Sequence, residues 1–210
     1  MRRAAVILAG GFSKRFGQDK CLIKLAGKPL VQHVIDGVSA VVDEKVVVVG
    51  SNAQREPFAE LLKSKVNVIV DKYEGKNPLV GALTGFESVN ADYSLLLPCD
   101  TPFVSSEIAA LLFDLCVNKG AAIPRWPNGY IEPLQAVYHT KSAIIASQQA
   151  LNTGKRDLFS MINNLSGIRY VSTLVLQQLD SNLLTFFNVN TSEALKRAKS
   201  IIKKDKRIFE

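Results

Sequence analysis

Short runs of β-type residues alternate with amphipathic stretches along this 210-residue chain. That alternation restricts the fold more than any single motif does. Parallel strands need a long crossover between them, and an intervening helix is the usual one. Strand candidates are Ala4–Leu8, Lys45–Val49, Val66–Val70, Tyr93–Leu97, Ala121–Ile123, Leu134–Tyr138 and Ile168–Val171, with a short one at Thr185–Phe187. Between them the spacing predicts helices over 54–63, 79–89, 106–118, 140–151 and 156–163. Pro29 opens an earlier one at the favoured first position, turning Leu30, Val34, Val38 and Val41 inward. A final helix over 192–204 has Asn190 as its N-cap and Glu193 three residues on, close to a capping box. No repeat or Pro/Ser-rich linker divides the chain. The expected fold is therefore α/β: a single Rossmann-like domain over residues 1–210, with a mostly parallel sheet flanked by helices on both faces.

Composition removes several function classes. Apolar content of 47% and charged content of 21% are ordinary for a soluble globular protein. No apolar run approaches the roughly 18 residues of a membrane span. Arg2 and Arg3 precede too short an apolar run for a signal peptide. A cytoplasmic location without membrane contact is expected. Cys21, Cys99 and Cys116 are odd in number and lack C-x-x-C spacing, so neither a disulfide framework nor a zinc site is expected. Net charge is +7, but much of it lies after residue 193, where a basic helix end suits the helix dipole. Aromatic interleaving is absent there, and no nucleic-acid role is expected.

In parallel sheets, ligands bind beyond the carboxyl ends of the strands. The first strand ends in Ala9-Gly10-Gly11-Phe12-Ser13-Lys14-Arg15-Phe16-Gly17-Gln18-Asp19-Lys20. Its glycines admit close backbone approach, and Arg15 and Lys20 supply one forked and one point-like cation. The stretch is either a phosphate cradle or a tight turn with solvated lysines. It is not a P-loop, since Phe16 and Gly17 stand where Gly and Lys are needed. It is not a dinucleotide turn either, since Phe12 replaces the second glycine.

Other strand ends carry polar groups. Gly50-Ser51-Asn52 offers an amide for a base edge, or simply a turn. Asp71 follows the third strand. Asn77–Leu83 opens a helix with small residues that suit either a bound base or tight helix–sheet packing. Pro98-Cys99-Asp100-Thr101-Pro102 brackets an acid with prolines. A carboxylate there needs a partner, and Mg²⁺ beside phosphates is a natural one; capping the next helix is the plainer alternative. Cys99 reads as a buried small residue. Glu132 and Pro133 lie in an aromatic, polar loop of substrate-facing character, Arg125–Leu134, and Lys155 and Arg156 add cations near a helix start. His33 and His139 are isolated and read as fillers. Asn188 and Asn190 close a strand end; with Asn190 spent on the cap, Asn188 is the free candidate.

The motifs Leu8-Ala9-Gly10-Gly11-x-Ser13-x-Arg15-x-Gly17-x-Asp19-Lys20, Pro98-Cys99-Asp100-Thr101-Pro102 and Asn188-Val189-Asn190-Thr191 together resemble the molybdenum cofactor guanylyltransferases, over residues 5 to about 195. The resemblance implies that Leu8, Ala9, Gly10 and Gly11 line a GTP site. It further implies that Lys20, Asn52 and Asp71 contact GTP and that Asp100 contacts both the nucleotide and Mg²⁺. Arg15, Lys20 and Asp100 would be catalytic, and Glu132, Pro133, Asn188 and Asn190 would face the acceptor. Phe16 in place of Met, and Asn77-Pro78-Leu79 in place of Gly-Pro-Leu, depart from the family pattern. The implied reaction moves GMP from Mg-GTP to the terminal phosphate of molybdopterin and releases pyrophosphate. A monomer is expected, with molybdenum cofactor biosynthesis proteins or molybdoenzymes as protein partners. The rivals are cytidylyl or other nucleotidyl transfer to a phosphorylated cofactor or sugar precursor, and a non-catalytic GTP-binding adaptor.

Overall fold

The structure, a computed structural model, describes residues 1–10, 12–13, 18–63, 66–73 and 77–204. The chain begins with β1 (Arg3–Leu8), the short pair β2 (Phe12–Ser13) and β3 (Gln18–Asp19), and a 3-10 turn over Lys20–Leu22. A second short pair follows, β4 (Lys24–Leu25) and β5 (Lys28–Pro29), leading into α1 (Leu30–Val38). Then come β6 (Glu44–Val49), α2 (Asn52–Leu62), β7 (Asn67–Val70), α3 (Pro78–Ser88) and β8 (Tyr93–Pro98). The next elements are α4 (Ser106–Cys116), β9 (Ala121–Arg125), β10 (Ala136–His139), α5 (Thr140–Asn152) and α6 (Leu158–Asn163). The chain closes with β11 (Ile168–Ser172), α7 (Thr173–Leu176) and α8 (Ser192–Lys204).

Seven strands form one sheet in the order β11-β9-β10-β8-β1-β6-β7. Only β10 runs antiparallel to its neighbours; every other pairing is parallel. The order steps outward from β1 in both directions, which puts the carboxyl ends of β8, β1, β6 and β7 side by side. That is where a doubly wound sheet opens a crevice.

Alternation along the strands explains the two layers. In β1, Ala5 and Ile7 face α1, α2 and α4, where Val34, Phe58 and Phe113 are fully buried. Val6 faces the other way, toward Leu79 and Phe86 of α3 and Met161 of α6. A strand buried on both faces reads as a continuous apolar run, as Ala4–Leu8 does. Helix α3 lies very close to the sheet: a Cβ on Gly85 would come within 2.2 Å of Val6 Cγ1. So Gly85 is small for packing reasons. No helix among the described residues is long and apolar enough to cross a membrane.

Several expected elements differ. Thr185–Phe187 is not a strand but overlaps a 3-10 turn at Leu184–Phe186. Asp180 accepts from Thr185 N at 2.7 Å and Gln135 Nε2 donates to Thr185 O at 2.7 Å, so the backbone groups a ladder would use are occupied. A 3-10 turn at Pro133–Gln135 also takes the start of the expected 134–138 strand. Pro29 pairs in β5 rather than opening α1. Cys21 and Cys99, expected to be unpaired, are joined by a disulfide with their Cα atoms 5.6 Å apart. Closing a 78-residue separation restricts the unfolded chain by about 4.5 kcal/mol in the chain-entropy account. Cys116 is the free, buried cysteine, and burial pushes its thiol up to about 12.

His33 is buried, and its Nε2 donates to Leu25 O at 2.8 Å beneath the β4–β5 turn. Burial lowers its pKa below the usual 6.5, so the native state resists the proton that the unfolded chain accepts. This contribution is fully present above that ordinary value and is lost as pH falls below it. The urea midpoint should therefore drop between about pH 7 and about pH 5.5. In His33→Gln the midpoint should start lower and depend less on pH over the same range.

Candidate active site

The site is built on the carboxyl ends of β8, β1, β6 and β7. Ala9 N donates to Val48 O at 2.8 Å and Cys99 N to Leu8 O at 3.1 Å, so Leu8–Gly10 is held by both neighbouring strands. A Cβ on Gly10 would lie 3.3 Å from Gly50 N, which places two strand-end backbones in close approach. Gly11 and Arg15 lie outside the described residues.

Lys20 and Asp100, 80 residues apart, meet here. Lys20 Nζ lies 2.5 Å from Asp100 Oδ2 and 2.8 Å from Asn190 Oδ1. Asp100 has only 5% of its side chain exposed, against 24% for Lys20. Its other oxygen, Oδ1, is buried with no hydrogen-bond partner among the described residues. A carboxylate oxygen in that condition is costly unless a cation or donor reaches it. The Asp100 carboxylate does not cap α4, because Ser105 Oγ takes that role by accepting from Ile108 N.

Asn190 is not the cap of α8. Thr191 Oγ1 accepts from Ala194 N at 3.1 Å and fills that position. Asn190 is thereby released to Lys20, and Val189 N donates to Asp100 O at 2.9 Å, fixing this segment beside the acid. Asn188 is exposed, and its Nδ2 donates locally to Phe186 O at 3.4 Å. Of the two amides it is therefore Asn190, expected as the cap, that reaches Lys20.

Asp71 follows β7, with its N donating to Val49 O. Thr84 of α3 donates to Asp71 Oδ1 at 2.8 Å and accepts from Lys72 N, a positioning that sequence reading missed. The signal available was a single hydroxyl residue within the otherwise apolar and glycine stretch 79–86. A Cβ on Gly81 would meet Leu8 Cδ2 at 3.4 Å and lie 3.8 Å from Asp71 Oδ2. The small residues of α3 thus divide: Gly85 serves packing, while Gly81 faces Leu8 and Asp71. Asn52 opens α2 at the surface, with Ser51 as cap.

Because Ala136 pairs with Leu96, the segment before β10 runs alongside the Asp100 end of β8. Glu132 accepts from Trp126 Nε1 at 2.7 Å. Burial raises its pKa, and the indole hydrogen bond opposes that rise. Pro133 O accepts from Tyr138 Oη. Lys155 and Arg156 are exposed between α5 and α6. No group of three or more His, Cys, Asp or Glu side chains suited to a metal occurs among the described residues.

The fold is that of an α/β nucleotidyltransferase, with a cation and an acid paired at the strand ends. The chain matches the model of the MobA-like NTP transferase domain over residues 5–168. A relative from Methanosarcina mazei, named "Probable molybdenum cofactor guanylyltransferase", is 31% identical over 92% of this chain and 88% of its own. One of the same name from Bacillus cereus is 32% identical over 90% and 92%. The crystal structure of molybdopterin-guanine dinucleotide biosynthesis protein A from Archaeoglobus fulgidus superposes with a TM-score of 0.81 at 28% identity, covering 96% of this chain and 99% of that one. The chain belongs to the MobA-like NTP transferase family, as the motif resemblance implied.

Proposed function

We propose that this chain transfers GMP from Mg-GTP to the terminal phosphate of molybdopterin or its metal-loaded form, releasing pyrophosphate. The observation that carries the reading is the buried Asp100 carboxylate, paired with Lys20 through Oδ2 and without a partner at Oδ1 among the described residues, beside the Leu8–Gly10 strand end. The names of the guanylyltransferase relatives supply the base and the acceptor.

In this reaction an acceptor phosphate oxygen attacks the α-phosphorus of GTP. The bond from that phosphorus to the bridging oxygen breaks, and pyrophosphate departs with the electron pair. Positioning and charge neutralisation account for catalysis of this kind. Lys20 would move from Asp100 toward the phosphates and offset charge growing on the leaving group. Arg15 is assigned the same task. Leu8, Ala9, Gly10 and Gly11 would admit the nucleotide close to the backbone, and Asn52 and Asp71 would hold base or ribose. Glu132, Pro133, Asn188 and Asn190 are assigned to the acceptor side.

The residues present fit a Mg²⁺ ion. This metal is commonly held by one or two carboxylates plus substrate phosphates rather than by a protein cage, and Asp100 Oδ1 is an acceptor that no group among the described residues takes up. Bound there, the ion would orient the phosphates and stabilise charge at the transferring centre.

In this reading residues 1–210 act as one catalytic unit, a monomer, working in the cytoplasm. Thiols are held reduced in that compartment. The site does not rely on the Cys21–Cys99 bond alone, because the Asp19 cap and the Val189–Asp100 backbone bond hold Lys20 and Asp100 separately.

A thermal-shift series with GTP, CTP, ATP and UTP, each with Mg²⁺, tests the nucleotide. A selective ligand at about 100 times its Kd adds roughly 2.7 kcal/mol of stability. GTP should give the largest shift, and a larger shift with CTP would overturn the choice of base.

A further inference from the structure

Gln54 lies on the first turn of α2 and is half-buried. Its side chain joins two strand-end segments that are otherwise separate in sequence. Oε1 accepts from Gly50 N at 2.9 Å, and Nε2 donates to Asp19 Oδ2 at 2.7 Å. The other oxygen of Asp19, Oδ1, accepts from Cys21 N at 3.0 Å and caps the 3-10 turn that begins with Lys20. Gly50 N is the atom that a Cβ on Gly10 would meet first. A chain of three hydrogen bonds therefore runs from the backbone beneath Gly10, through Gln54 and Asp19, to the backbone that carries Lys20.

The polarity of this chain is fixed. A backbone N–H can only donate and an ionised carboxylate can only accept. The Gln54 amide must therefore present oxygen to Gly50 and nitrogen to Asp19. A flipped amide would oppose like groups at both ends. Burial is the largest influence on the Asp19 carboxyl and raises its pKa, while the bonds to Cys21 and Gln54 and the nearby Lys20 charge favour the ionised form. Losing either bond would leave a half-buried polar group unpaired.

We infer that Gln54 is a positioning residue for Lys20, acting through Asp19, and that it sets the Lys20 turn relative to the Gly10–Gly50 strand ends. The inference rests on the guanylyl-transfer reading for its kinetic consequence. Displacing a catalytic group by about 1 Å costs on the order of 100-fold in rate, so a Lys20 turn that loses its tie to Gln54 should lower kcat more than it raises KM.

The test is a hydrogen-bond reversal measured on the full chain. Gln54→Leu removes both bonds at similar size and should lower kcat by roughly 10- to 100-fold. Gln54→Glu sets one carboxylate against another and should do at least as much harm. The double variant Gln54→Glu with Asp19→Asn exchanges the two groups and restores the pairing. The amide now at position 19 donates to the carboxylate at position 54, which also accepts from Gly50 N. The oxygen of that amide accepts from Cys21 N. Activity should recover to within about threefold of the parent. In a Lys20→Ala background, Gln54→Leu should cause no further loss, because both changes act on one group. Full activity in Gln54→Glu, no recovery in the double variant, or additive losses with Lys20→Ala would each overturn the inference.

Amide hydrogen exchange at Gly50 and Cys21, measured without substrate, gives a second readout. Exchange should quicken in Gln54→Glu and slow again in the double variant. If the parent chain transfers no nucleotide, the functional reading fails, and this exchange pattern alone decides whether the relay exists. Unchanged exchange in Gln54→Glu would refute it.

Discussion

Asp100→Ala is expected to abolish nucleotidyl transfer while the chain stays folded. The substitution removes the proposed hold on Mg²⁺ together with the partner of Lys20. Loss of such charge stabilisation at a phosphoryl centre is worth at least about 1,000-fold in kcat. The structural cost should be small by comparison. Among the described residues Oδ1 makes no hydrogen bond to lose, and the bond from Val189 N reaches the Asp100 backbone carbonyl, which the variant keeps. Lys20 retains Asn190 and solvent access. Asp100→Asn isolates the charge from the shape and should be nearly as inactive. Single-turnover rates beside circular dichroism melts decide the point; near-parent turnover in either variant would remove Asp100 from the metal role.

Lys20→Ala is expected to fail differently, losing both activity and stability. Turnover should fall by roughly 100- to 1,000-fold, because one cation on the leaving phosphates is missing. The variant also leaves Asp100 buried without its ion-pair partner. Breaking such a pair from one side costs about 3–5 kcal/mol when it is fully buried, and somewhat less here because Lys20 keeps partial exposure. Lys20→Arg restores the charge as a broader planar fork and should recover stability better than turnover. Urea denaturation of the two variants separates these effects. A Lys20→Ala variant of parent stability would contradict the ion pair.

The contrast between these variants mirrors what was legible in the sequence. β1, β6 and β8 were readable because strands buried on both faces leave continuous apolar runs, and the polar residues that follow them stand at strand ends by construction. The residues that arrange the site were harder to read. Thr191 and Asn190 are both competent caps, and a one-residue shift decides which is free for Lys20. Leu184-Thr185-Phe186 has strand composition, yet Asp180 and Gln135 claim the Thr185 backbone. The Cys21–Cys99 pairing depends on β1 and β8 being neighbours, a fact of topology that cysteine spacing does not carry. Gln54 and Thr84 act by bridging segments, and a bridge is visible only when both ends are placed.

Of these features, the Lys20–Asp100 pair gives the account its chemistry, and the base and acceptor give it its identity. The most direct measurement incubates the chain with Mg²⁺, molybdopterin and each nucleoside triphosphate, then identifies the products by mass spectrometry. The account predicts a molybdopterin product carrying one added GMP, pyrophosphate formed in equal amount, and little product from CTP, ATP or UTP. A product carrying CMP in preference to GMP, or no pyrophosphate with any nucleotide, would contradict it.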